Sequence, residues 1–137
     1  MTAKQWLSRS RRVDEEINAL LRSYDEMKAR LTSVTQRLTG ETVQSTKDPH
    51  KFDKLAELSE LIDERVDELV DIKRKTTDVI SRVPDQRQRE VLQRRYVANE
   101  AWEEIAVDMH YSYMQVHRFH GYGLNEVERI LRDEGIL

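Results

Sequence analysis

The chain contains no cysteine in its 137 residues, which removes disulfides, thiol catalysis and thiolate metal sites together. Glycine (4) and proline (2) are scarce as well, so there is little room for loops and the expected fold is almost wholly helical. No apolar run approaches the roughly 18 residues needed to cross a bilayer, and the start lacks the apolar core of a signal peptide. The expectation is a cytoplasmic protein with no membrane partner. A Gly-rich phosphate loop, a nucleophile elbow and an H-E-x-x-H string are all missing, which argues against an enzyme and against a bound cofactor. His117 and His120 are three apart with His110 nearby. Without cysteine or a carboxylate at ligand spacing they do not suggest a metal site.

Charge is abundant: Asp, Glu, Lys and Arg make up 36% of residues and the mean hydropathy is -0.77. Such values suit long solvated helices better than a large spherical core. Val13, Ile17, Leu20, Tyr24, Met27, Leu31, Val34 and Leu38 recur at alternating steps of four and three, a heptad seam along one helix. The seam predicts a helix from about Thr2 to Leu38, roughly 55 Å long at about 1.5 Å per residue. Leu55, Leu58, Leu61, Ile62, Val66, Leu69, Val70, Ile72, Val79, Ile80 and Val83 predict a second helix of similar length with a wider apolar arc. The polar stretch from Gly40 to Pro49 breaks the periodicity and reads as the connecting loop. The two helices then form an antiparallel hairpin over residues 1–82. The additional arc on the second, with Leu58, Leu61 and Val70, predicts pairing with another copy in a homodimeric four-helix bundle; packing on the chain's own C-terminal domain is the alternative.

Residues 83–137 follow a different plan. Val83-Pro84 precedes Arg89-Glu90-Val91-Leu92 and Arg95-Tyr96. Trp102-Glu103-Glu104-Ile105-Ala106 then leads to Tyr111-Ser112-Tyr113 and Val116-His117-Arg118. Ile105, Ala106 and Met109 share one face of a helix of about two turns. Ser112 can cap the next helix by accepting from a backbone N–H two or three residues on. In that next helix Val116 and Phe119 turn to the core, leaving Tyr113, Met114, Gln115, His117 and Arg118 outward, where a recognition helix presents side chains to base edges. Gln can pair with adenine and Arg with guanine. Trp102 is read as a packing residue at a helix start.

These strings resemble region 4 of bacterial RNA polymerase sigma factors, with its Leu-Pro start, Arg-Tyr helix end, Glu-Ile-Ala helix and Ser-capped recognition helix. Over its whole length the chain resembles an uncharacterised phage and prophage family akin to ArpU-like late-transcription regulators. Trp102 to Met109, Tyr111-Ser112-Tyr113, Val116-His117-Arg118, His120-Gly121, Thr32 to Thr35 and Asp67 to Arg74 carry that likeness. The resemblance implies an all-α fold, a long antiparallel coiled-coil hairpin followed by a sigma region 4-like helix-turn-helix domain. It also implies double-stranded DNA as partner, RNA polymerase as a second one, and a bacterial host cell as the setting. Two features depart from the sigma pattern. His110 stands where glycine is usual, which predicts a slightly reshaped turn, and Gly121 and Gly123 lie within the last helix, which predicts a locally weak or bent segment before it continues through Leu124, Val127, Ile130 and Leu131.

The charge balance pulls the other way. Residues 83–137 hold seven arginines (Arg87, Arg89, Arg94, Arg95, Arg118, Arg129, Arg132) and ten acidic residues, and phosphate contacts normally supply most non-specific DNA affinity. Arg89, Arg94 and Arg95 on the support helix are the expected phosphate clamps, with dimerisation coupling two weak half-sites. Two further readings stand beside a DNA-binding regulator: a module that docks on RNA polymerase or another host protein without reading DNA, and a small phage DNA-packaging subunit.

Overall fold

The computed structural model describes residues 1–38 and 50–137. Every regular element among them is helical. In chain order these are α1 (Ala3–Leu7), α2 (Arg9–Leu38), α3 (Lys51–Ser81), α4 (Gln86–Leu92), a π-helical turn (Gln93–Val97), α5 (Trp102–Met109) and α6 (Tyr113–Asp133). The expected connecting loop from Gly40 to Pro49 lies outside the described residues. No helix among those described is long and apolar enough to cross a membrane.

The single helix expected from Thr2 to Leu38 is two. Thr2 and Gln5 form a capping box that starts α1, with Thr2 Oγ1 accepting from the Gln5 N–H at 3.2 Å and Gln5 Oε1 accepting from the Thr2 N–H at 2.8 Å. Ser8 (φ -74°, ψ -4°) ends α1 as its C-cap, and its hydroxyl donates to the Lys4 carbonyl at 2.6 Å. A serine bonding back to the preceding turn competes with the backbone ladder, and the resulting break turns Trp6 and Leu7 into a core that the heptad seam does not serve.

The chain divides into two compact units, one made of Met1–Arg12 with Leu69–Leu137, the other of Val13–Glu68. The physical reason is burial: Ala3, Trp6 and Leu7 join Val79, Ile80, Val83, Leu92, Tyr96, Val127, Ile130 and Leu131 in one apolar core. The buried Ser10 hydroxyl adds a hydrogen bond to the Tyr96 carbonyl. Within the Val13–Glu68 unit, Val13, Leu20, Tyr24, Met27 and Leu31 are half-buried and Ile17 is buried, so the seam faces inward on α2. Ile62 is buried on α3, Leu55, Leu58 and Leu61 are half-buried, and Phe52 and Val66 are exposed. Arg65 Nε donates to Glu16 at 3.0 Å and so ties the two helices together there.

In the larger unit, Asp85 caps α4 by accepting from the N–H groups of Arg87 (2.8 Å) and Gln88 (3.2 Å). Asn99 (φ 57°) and His110 (φ 60°) are the described non-glycine residues in the left-handed region. Each reverses the chain, at the end of the π turn and between α5 and α6. His110 thus adopts the conformation that glycine would adopt with less strain, and the N–H of Tyr111 closes the turn on the Ala106 carbonyl at 3.2 Å.

α6 runs unbroken through both glycines. Gly123 is explained by contact. A Cβ there would stand 2.9 Å from Leu92 Cδ1, so glycine lets α6 lie close against α4. Nothing within 4 Å would meet a Cβ at Gly121, where glycine costs the helix up to about 1 kcal/mol relative to alanine.

Candidate nucleic-acid interface

α5 and α6 pack through a second apolar cluster of Val91, Ile105 and Val116, all fully buried, with Trp102, Ala106, Met109, Tyr111 and Phe119 partly buried around it. The backbone leaving the His110 turn enters α6 through a second Ser-x-x-Gln capping box. Ser112 Oγ accepts from the Gln115 N–H at 3.1 Å, and Gln115 Oε1 accepts from the Ser112 N–H at 3.0 Å. The Gln115 carbonyl oxygen is therefore committed to the helix start, while its NH2 group points from an exposed residue. The spacing Ser112 to Gln115 is a capping-box signature readable in the sequence.

The outward set on α6 divides. Tyr113 and Met114 are exposed, Met114 to 65%, and Arg118 is exposed with its Nη2 3.8 Å from Met114 Sδ. His117 is half-buried instead. Its ring lies 4.5 Å from Trp102 and 4.4 Å from Tyr113, and its Nε2 is enclosed without a hydrogen-bond partner. Trp102 in turn touches His120 at 4.6 Å and carries the Arg95 guanidinium over its face at 4.6 Å. His120 is buried and sits 2.6 Å from the Tyr96 hydroxyl. Burial, reinforced by Lys4, His117 and Arg95, pushes its pKa from 6.5 down to about 4. Burial also raises the Tyr96 phenol to about 12, against the pull of Arg95 and Arg11. Trp102 thus acts as packing, joining the start of α5 to the middle of α6. No group of three or more His, Cys, Asp or Glu side chains among the described residues is placed to hold a metal ion.

The three arginines expected to clamp phosphates are held within the fold. Arg89 Nη1 donates to the carbonyls of Val83 (2.7 Å) and Pro84 (2.9 Å) and so braces the α3–α4 connection. Arg94 meets Glu90 at 3.1 Å, Glu100 at 3.3 Å and Asp108 at 3.4 Å. Arg95 donates to the Glu100 carbonyl at 3.0 Å, and burial, with Arg11 nearby, lowers its pKa. Arg89 and Arg94, with Gln86, Glu90 and Gln93, line an open cleft of about 550 Å³. Spacing along the chain cannot show these ties, because Arg94 and Asp108 are brought together by the turn at Asn99.

The same geometry redistributes the acidic charge. Asp85, Glu90, Glu100, Asp108, Glu126, Glu128, Asp133 and Glu134 are each ion-paired to an arginine. Glu103 and Glu104 stand in the first turn of α5, where the helix dipole favours them. Between Asp108 and Glu126 the chain carries no carboxylate at all. The outer ridge of α6, Met114, Arg118, Gly121, Tyr122 and Asn125, is exposed throughout and free of acidic residues. Of the seven arginines in 83–137, all described, Arg118 alone has no oxygen acceptor. Tyr122 and Asn125 were not among the residues expected to face outward for recognition. The acid-free interval of the sequence was the available signal for them.

Comparison with protein-family models, with curated proteins and with solved structures finds no match to this chain.

Proposed function

We propose that this protein is a DNA-binding regulator of phage or prophage transcription, in which α5, the His110 turn and α6 act as a sigma region 4-like helix-turn-helix. α6 enters the major groove. The observation that carries the reading is the acid-free outer face of α6 with Arg118 as its one uncommitted guanidinium, within a segment whose other arginines are bound to acceptors of the fold. An exposed guanidinium without a counter-charge is suited to the acceptor pair on guanine or to a phosphate oxygen. The net acidity of residues 83–137 weighs less against DNA than a charge count implies, because eight of the ten acidic side chains are ion-paired to arginine.

In this reading Tyr113, Met114 and the Gln115 amide group meet the groove, Arg118 stands at its edge, and His117 positions the helix by stacking between Trp102 and Tyr113. Arg89, Arg94 and Arg95 brace the domain that presents it. The helices of residues 13–68 form an antiparallel hairpin that pairs two copies, coupling two half-sites. Among the described residues 13–68, the buried apolar side chains are Ile17 and Ile62, few for helices this long, and a second hairpin would bury more. Mapping the DNA segments that the protein retains from sheared host and phage genomes tests the proposal. It predicts recurrent sites whose recovery falls with Arg118→Ala; retention of no segment above background contradicts it.

A second reading has one specific support. Val107 is 71% exposed on α5, amid Glu103, Glu104 and Asp108, a surface that suits a basic partner such as a face of RNA polymerase. Capture of polymerase in the absence of DNA, abolished by Val107→Arg, is its distinguishing outcome.

A further inference from the structure

Gly121 occupies the outer face of a 21-residue helix, and nothing inside the protein requires glycine there. Its φ is not in the left-handed region, so no turn depends on it. Unlike Gly123, which Leu92 crowds, it has no neighbour that a methyl group would meet. A helix-interior glycine weakens the helix, and an exposed one gains nothing from internal packing in return. What the missing side chain provides is a bare stretch of backbone that an external group can approach closely.

The surroundings specify that group. One turn earlier on the same ridge is Arg118, the guanidinium without an oxygen acceptor. Beside and beyond Gly121 are Tyr122, 59% exposed, and Asn125, also exposed. All three can donate to an anionic oxygen; no carboxylate occurs from residue 109 to residue 125, and Glu126, which follows on α6, is paired with Arg129 at 2.9 Å. An apolar helix from another protein would bury Arg118 and Asn125 without partners, a poor match. Resting on the DNA-binding reading above, we infer that a strand of the DNA sugar-phosphate backbone crosses α6 at Gly121, contacted by Arg118, Tyr122 and Asn125. The first turns of α6 then lie in the groove while its middle supports the groove's edge, so that contact extends past the residues that read bases.

The inference makes stability and binding move in opposite directions, which a purely structural glycine does not. Gly121→Ala and Gly121→Gln in the full chain are compared with the wild type in thermal melting and in anisotropy titration of a labelled mixed-sequence duplex several helical turns long, at low salt. Gly121→Ala is expected to melt higher and to bind several-fold more weakly, and Gly121→Gln to bind more weakly still. A higher melting point with unchanged affinity, or a lower melting point for Gly121→Ala, overturns the inference. If Arg118→Ala weakens binding and the Gly121 variants do not, the close crossing alone is refuted; a wild type that binds no duplex refutes the DNA reading and this inference with it.

Discussion

The Tyr96 hydroxyl and His120 Nε2 lie 2.6 Å apart inside the C-terminal unit, joining the π-helical turn to the middle of α6. The pair is buried, and the imidazole is held neutral, its pKa lowered to about 4 from 6.5. A histidine whose folded pKa lies below its unfolded value binds fewer protons in the native state. Its stabilising contribution is therefore complete above about pH 6.5 and is lost as pH falls toward about 4. Melting temperature should drop across that window by an amount equivalent to about 3 kcal/mol. His120→Gln should flatten the profile in that range. A wild-type melting point unchanged from pH 7 to pH 4 contradicts the assignment.

Trp6 and Leu7 bind the first turn of the chain into the core shared by α3, α4 and α6. Trp6→Ala should destabilise the protein by about 3–5 kcal/mol, as truncating a large core side chain does. Removal of residues 1–12 should lower the stability of the C-terminal unit, read by denaturant unfolding of full-length and shortened chains. Equal midpoints would place the N-terminal turn outside the core.

His110 sits at φ 60°, ψ 36°, a conformation that costs a residue with a Cβ roughly 1–2 kcal/mol. His110→Gly removes that strain while adding chain entropy to the unfolded state. The expected net gain is about 0.5–1 kcal/mol in chemical denaturation, with DNA binding unchanged. A loss of stability would mean that the His110 side chain makes a contribution exceeding its backbone cost.

Gly123 answers to a different constraint from Gly121. A methyl group there would press on Leu92, which is fully buried and cannot move aside freely. Gly123→Ala should therefore destabilise by about 1 kcal/mol or more, overpacking outweighing the gain in helix propensity. Calorimetry showing a higher melting point would contradict this.

The contrast between the two glycines marks the limit of what the sequence reveals. Helix propensity treats Gly121 and Gly123 alike; only the position of Leu92, distant in the chain, separates them. Features set by local chemistry were legible: the Ser112 cap, the Val116 and Phe119 core positions, the inward face of α2 from Val13 to Leu31, and the placement of Ile105, Ala106 and Met109. Those decided by tertiary contact were not. The break at Ser8 accompanies the burial of Trp6 and Leu7 in a core built from distant residues, and the engagement of Arg94 by Asp108 depends on the chain reversal at Asn99. Composition gives the number of charges, whereas function depends on which remain unpaired.

The central claim is that the outer face of α6 binds duplex DNA through Arg118. The most direct test is an anisotropy titration of labelled duplex across a salt series with the wild type and Arg118→Ala, both checked for equal melting temperature. The account predicts salt-dependent binding by the wild type and about tenfold weaker binding by the variant, the scale of a contact worth about 1–3 kcal/mol. Identical titration curves for two equally stable proteins would contradict it.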